Sequence, residues 1–305
     1  MKSIHTLDTL WTGRPHSVAA ALLQSSGHRA LIDPGPASTL DTLRQALQHQ
    51  GLTVADLDAI LLTHIHLDHA GVTGALVREN PRLAVYVHTR GAPHMQDPSK
   101  LLDSATRLWG TELPRLFGET LPVPAENLKI LEGGQTLQLG RRKLHVAYTP
   151  GHASHHVSYF DDNEGIAFVG DTAGIRIENG PYILPATPPP DINLELWDES
   201  FTTILARKPA RMFLTHYGYT ENPAAHLTDF RERLHRWVES TEQSLQKNPG
   251  DDAAAGREFA TAARAELVSA LAQSEADHYS FTAGLDLSFL GLARYIRKRN
   301  ASPKT

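Results

Sequence analysis

Residues 63–71 read Thr-His-Ile-His-Leu-Asp-His-Ala-Gly, which places three histidines and an aspartate within six consecutive positions. Burying four such groups side by side without partners costs several kcal/mol each. A bound metal removes that cost, so this cluster demands a fold that gathers further ligands around it. The preceding run, Leu57-Asp58-Ala59-Ile60-Leu61-Leu62-Thr63, has the short apolar character of a buried strand, so the cluster begins where a strand ends. Alternate residues of an extended segment share a face. His64 and His66 can therefore reach one ion, while Asp68 and His69 fall at the turn and can address a second.

Three later points repeat the pattern of a strand that ends in a ligand. Lys143–Tyr148 alternates as a strand and runs into Thr149-Pro150-Gly151-His152; Ile166–Val169 stops at Gly170-Asp171-Thr172; Arg211–Leu214 ends in Thr215-His216-Tyr217-Gly218. Glycine and proline beside each candidate let the backbone turn sharply at the strand end. Each motif alone also reads as an ordinary turn. Their co-occurrence points to one sheet edge.

The order and spacing of His-x-His-x-Asp-His, Thr-Pro-Gly-His, Gly-Asp and Thr-His resemble the metallo-β-lactamase-fold hydrolases, on their glyoxalase II and lactonase side. The resemblance covers about residues 15–220 and implies an α/β fold, a four-layer αββα sandwich. It implies that His64, His66 and His152 hold one metal, that Asp68, His69 and His216 hold another, and that Asp171 bridges them. Leu31-Ile32-Asp33-Pro34-Gly35 is similar to the family's first motif, in which the aspartate braces the metal loop. His156 matches a second histidine of the family's Thr-Pro-Gly-His motif and reads as structural rather than as a ligand. The implied cofactors are two divalent ions per chain, zinc first among them, with iron and manganese also suited to histidine and carboxylate donors.

Two such ions about 3.5 to 4 Å apart can share a hydroxide while one polarises a substrate carbonyl. The expected function is thus hydrolysis of a small ester, thioester or lactone. Asp171 could also take the proton released, Asp68 shares the catalytic centre, and Tyr217 beside His216 is the candidate hydrogen-bond donor to an oxyanion. Two alternatives share the motifs: a metallonuclease or phosphodiesterase, and a mononuclear iron enzyme similar to the persulfide dioxygenases. His66 stands where flavodiiron relatives carry glutamate, and the chain lacks the cysteine that many two-zinc β-lactamases use as a ligand.

The net charge of −5 supplies no field that draws phosphodiester backbones, so a small-molecule substrate and no nucleic acid are expected. The one basic concentration, Arg294, Arg297, Lys298, Arg299 and Lys304, reads as a helix C-terminus followed by a polar tail. No apolar run approaches the ~20 residues of a membrane span, and Met1–Gly13 lacks the basic start and apolar centre of a signal peptide. No membrane association and a cytoplasmic location are the expectations. A homodimer is the one assembly considered.

A catalytic domain is expected over residues 1–220 and a helical region over 221–305. Val18–Leu23, Ala30–Ile32 and Leu83–His88 read as strands. Ser38 reads as the cap of a helix carrying Leu40, Leu43 and Leu47, and Asp97-Pro98 as the start of another that ends at Gly110. Residues 111–127 read as loop or lid. Helices are expected from Asn222 to the Asn248–Asp252 break, from about 253 to 273 and from about 284 to 299. Residues 174–193, with Tyr182 and Pro188-Pro189-Pro190, rim the pocket or form a rigid surface connection, and His94 reads as a solvated loop histidine. The C-terminal helices are expected at the pocket mouth, with Tyr279, Phe281, Phe289 and Tyr295 as substrate contacts.

Overall fold

The computed structural model describes residues 3–177 and 180–301; Lys304 lies outside them. The first sheet runs β1 (Ile4–Asp8), β2 (Ala19–Ser25), β3 (His28–Ile32), β4 (Ala59–Leu61), β5 (Ala84–His88) and β6 (Leu128–Leu131), hydrogen-bonded in that order. The second contains β7 (Thr136–Leu139), β8 (Arg142–Tyr148), β9 (Val157–Asp161), β10 (Ile166–Phe168), β11 (Arg211–Leu214) and β12 (Gly218–Thr220), again in sequence order across the sheet. β3, β4 and β5 are parallel, as are β10 and β11, and β8 runs in the same direction as β10 because each is antiparallel to β9.

Strands buried on both faces read as continuous apolar runs, and here the two-residue alternation assigns each side chain to a layer. Ala19, Ala21 and Leu23 of β2 join Val146, Tyr159 and Phe168 of the second sheet in the core between the sheets. Ala20 and Leu22 face outward against the Leu40–His49 helix through Leu43 and Leu47. On the far side, Phe160, Ala167 and Met212 pack under Trp197, Phe230 and the C-terminal helices. The result is the expected helix–sheet–sheet–helix sandwich. None of its described helices is long and apolar enough to cross a membrane.

Four local expectations change. Ser38 does not cap the Leu40–His49 helix; a 3-10 turn, Ala37–Thr39, precedes it, and Ser38 Oγ donates instead to Leu116 O at 2.7 Å. Residues 111–127 include a helix, Leu113–Phe117, pinned where Phe117 packs on Trp11 and Trp109. His94 lies on a short helix, Ala92–Gln96, rather than in a loop. The expected 253–273 helix is Asp252–Ala270, and a separate helix, Gln273–Ala283, follows before Leu285–Ala301. Glu275 accepts from the Ala272 amide and starts that extra helix, and Gly284 at φ 60° ends it.

Gly151 shows how tightly the motif loops are built. It has φ +134°, and a Cβ there would lie 2.5 Å from Trp197 Cα in the Leu194–Ala206 helix. Gly151→Ala combines backbone strain with overpacking and is expected to cost about 2–4 kcal/mol. Chemical denaturation checks this; an unchanged midpoint would mean that the Trp197 helix slides aside freely.

Candidate metal centre

The ends of β3, β4, β8, β10 and β11 meet at one edge of the sandwich, and each delivers a polar residue there. Asp33 follows β3, the His64–His69 cluster follows β4, His152 follows β8, Asp171 follows β10 and His216 follows β11. All are buried except His66 and Asp68, which are partly exposed. The structure brings all seven expected ligands together, in two adjoining groups: His64, His66, His152 and Asp171, and Asp68, His69 and His216.

The hydrogen bonds orient these rings. His152 Nδ1 donates to Ala186 O at 2.8 Å, His216 Nδ1 to Ser17 O at 2.6 Å, and His69 Nδ1 to the Asp33 carboxylate at 2.9 Å. Thr63 Oγ1 gives its proton to Asp33 at 2.7 Å, so at 3.1 Å it accepts from His64 Nδ1. In each of these four imidazoles Nδ1 donates away from the centre, and Nε2 faces into it. His64 Nε2 and His152 Nε2 lie 3.0 and 2.9 Å from His66 Nδ1. Three ring nitrogens converge there without an adequate supply of protons to share.

Asp171 stands between the groups. Its Oδ2 is 3.5 Å from His152 Nε2, while its Oδ1 is 3.1 Å from His69 Nε2 and 3.7 Å from His216 Nε2. Asp68 Oδ2 completes the second group, 3.3 Å from His216 Nε2 and 3.9 Å from His69 Nε2. His69 Nε2 and Asp171 Oδ1 are buried and lack a hydrogen-bond partner. Buried donors and acceptors are rarely left so. Orphaned lone pairs on converging imidazoles and carboxylates fit a divalent cation, and these His and Asp groups can bind one.

Electrostatics divides the groups. Burial, followed by the neighbouring imidazoles, holds His64 well below its ordinary value of 6.5; burial together with His152 takes His66 down to about 3, and burial also lowers His152. In His69 and His216 burial acts the same way, but Asp171 and Asp68 outweigh it and raise both. Burial opposes ionisation of Asp68 and Asp171, yet His69 and His216 overcome it, leaving Asp68 at about 2 and Asp171 well below its ordinary value.

A cavity of about 360 Å³ opens over the cluster, with Asp68, Asp171 and His216 among its walls. Pro188, Pro189 and Pro190 line it, as the sequence allowed, whereas Tyr182 is buried in the C-terminal core beneath the Arg233 guanidinium. Tyr217 is not among the lining residues: its ring packs on His16, 4.8 Å between centroids, and on the core between the sheets. The C-terminal helices reach the cavity through Thr282, Ala283 and Leu287 rather than through aromatic rings. Tyr279, Phe289 and Tyr295 are buried, and Phe281 packs on Trp11. His156 lies behind the centre, 3.1 Å from both Thr149 Oγ1 and Thr172 Oγ1. His94 lines the wall, and so do Arg90 and His155, which no sequence motif marks.

Residues 13–216 match the metallo-beta-lactamase superfamily. The chain belongs to that superfamily. The metallo-beta-lactamase fold-containing protein ST1585 of Sulfurisphaera tokodaii is 31% identical over 165 residues, 53% of this chain and 61% of that protein. Its structure aligns with a TM-score of 0.66 at 23% identity, covering 77% of this chain and 87% of the other. A hydroxyacylglutathione hydrolase of Legionella pneumophila is 30% identical over 141 residues, 46% of this chain and 41% of the enzyme. The chain thus spans less than two thirds of either curated relative. The family protein TTHA1429 of Thermus thermophilus aligns with a TM-score of 0.67 at 20% identity over 99% of this chain and 95% of its own, so the fold extends through the C-terminal helices.

Two outcomes follow for the centre. Asp33→Ala strips the acceptor from Thr63, His69 and Thr215, and should cost about 3 kcal/mol or more and weaken metal binding 10- to 100-fold; urea unfolding and a chelator titration measure both. His66 stays neutral in the folded protein down to about 3 while an ordinary imidazole takes its proton at 6.5. Metal-free protein should therefore lose stability as pH falls through that window. His66→Gln should flatten this acid-side decline, and an identical slope in both proteins would refute the assignment.

Proposed function

We propose that this chain is a dinuclear metal-dependent hydrolase acting on a small ester, thioester or lactone. The observation that carries the reading is Asp171, whose two oxygens face two separate groups of converging imidazole nitrogens on the wall of an open cavity. His64, His66 and His152 would hold one ion, Asp68, His69 and His216 the other, and Asp171 both, with zinc the first choice for such donors and iron or manganese also suited. Ions held there lower the pKa of bound water toward ~7 and polarise a carbonyl oxygen.

The chain's own residues then position and exclude. Asp33 and the backbone carbonyls of Ser17 and Ala186 fix the ring tautomers, the apolar walls restrict water, and Asp171 is placed to receive a proton as the carbonyl is attacked. The hydroxyacylglutathione hydrolase relative supports carbonyl chemistry and a thioester among the candidates. A net charge of −5 favours a small-molecule substrate over nucleic acid.

Elemental analysis after mild purification is expected to give about two ions per chain. Asp68→Ala and His216→Ala should each empty one position, leave the other ion bound and remove most activity. On the best ester, thioester or lactone the rate should rise through pH ~7 and then level off. A single ion that added zinc or manganese cannot double would sink the dinuclear reading. Cleavage of a phosphodiester or RNA with no carbonyl substrate turned over would replace the hydrolase with a nuclease.

A further inference from the structure

The Ser99–Trp109 helix turns an unusual face to the cavity. Leu101, Ser104, Ala105 and Leu108, spaced i, i+3, i+4 and i+7, all line it, so one stripe of the helix borders open space even though Leu101 and Ala105 also pack on the cluster around Trp11 and Phe117. Across the gap lie Pro188, Pro189, Ala283 and Leu287. The charged lining residues Arg90, Lys100 and Asp191 are all solvent-exposed, which places them at the mouth. Inside, the walls are mostly apolar, with His94 and His155 among them, while one side carries Asp68, Asp171 and His216.

An apolar recess that ends at a polar centre selects ligands of matching polarity. We propose that the substrate carries a medium-length alkyl arm on the scissile carbonyl, and that this arm lies in the recess along the Leu101–Leu108 stripe. The proposal rests on the hydrolase reading for what happens to the carbonyl, but not for the binding of the arm. The 360 Å³ of space holds roughly a dozen water-sized groups at ~30 Å³ each, enough for an acyl chain of about eight carbons with its carboxyl group. Each methylene moved from water into such a recess adds about 0.8 kcal/mol of binding, or about fourfold in affinity at 25 °C. Ser104 sets the width at the middle of the stripe, because its side chain is the shortest there apart from that of Ala105.

Two tryptophans, Trp11 and Trp109, line the recess and provide an optical signal. The protein as purified, with its metals, is titrated with acetate, butanoate, hexanoate and octanoate while their fluorescence is followed. Affinity is expected to tighten about fourfold per methylene, on the order of 200-fold from butanoate to octanoate. Ser104→Phe should weaken octanoate more than tenfold and leave acetate within twofold. Leu108→Ala, at a half-buried position, is the companion variant and should weaken octanoate about fivefold. In parallel, kcat/KM on acetyl to octanoyl esters should follow the same order. Affinities independent of chain length, or variants that weaken acetate and octanoate equally, would overturn the arm. Chain-length-dependent binding with no carbonyl substrate turned over would leave the recess standing and remove the hydrolase reading. Turnover with flat dependence on chain length would do the reverse.

Discussion

The Asp33 carboxylate is the point on which the centre is hung. It accepts from the Thr63 amide at 2.8 Å and the Thr63 hydroxyl at 2.7 Å, from His69 Nδ1 at 2.9 Å and from the Thr215 hydroxyl at 2.8 Å. Those four donors come from the ends of β4 and β11 and from the short Leu67–Ala70 helix, so one buried side chain joins the two sheets and the histidine cluster. Three of these donors converge on Oδ2 and one on Oδ1. Asp33 therefore braces the centre, and the oxygen that holds His69 has no lone pair left for an ion, although the side chain lies within ligand distance of His64 and His69. Its φ of +46° is a conformation that aspartate tolerates better than most residues.

Further bonds between the sheets hold the same edge. Tyr159 OH donates to Leu62 O at 2.7 Å, the Val157 amide to Thr63 O at 2.8 Å, and the Ala19 amide to Thr215 O at 2.8 Å. Because these His and Asp side chains are anchored to these joints, the spacing of the two donor groups follows from how the sheets pack. The positions still differ in charge. The first offers three neutral imidazoles and one oxygen of Asp171; the second offers two imidazoles that carboxylates have made more basic, with Asp68 and the other oxygen. Protons compete for the second set at higher pH than for the first, so, with ions held as proposed, acid is expected to strip the second group before the first.

That these side chains gather could be read from the sequence because imidazoles and carboxylates crowded at that density are costly to bury unless a cation satisfies them, and because short apolar runs mark the strands that carry them. Tyr217 could not be placed in the same way. It directly follows a candidate ligand in the turn between β11 and β12, where two-residue alternation does not set side-chain direction, so only the packing of its ring on His16 decides where it goes. Ser38 illustrates a second limit: its hydroxyl could serve the helix that follows or a distant carbonyl, and only the approach of Leu116 decides. Helical periodicity gave the face of the Ser99–Trp109 helix. Whether that face meets protein or open space depends on where chain some 180 residues later returns, which local pattern does not encode.

The C-terminal aromatics act one layer behind the cavity. Tyr279 OH accepts from the Ile177 amide at 2.9 Å and donates to Tyr182 O at 2.8 Å, and Thr187 Oγ1 donates to Ser288 O at 3.2 Å. These bonds clamp Ile177, Tyr182 and Thr187, the last two flanking Ala186, whose carbonyl holds His152, and leading into the proline wall. His278 sits 2.7 Å from Ser17 Oγ, and the Ser17 carbonyl orients His216. The Leu285–Ala301 helix approaches the proline run so closely that a Cβ at Gly291 would lie 2.9 Å from Pro188 C and 3.0 Å from Pro189 N. The helices thus back the cavity wall and brace one histidine of each donor group, His152 through Ala186 and His216 through Ser17. A larger residue at Gly291 would displace the proline wall and disturb the carbonyl that fixes His152 with it, coupling the width of the recess to the geometry of the centre.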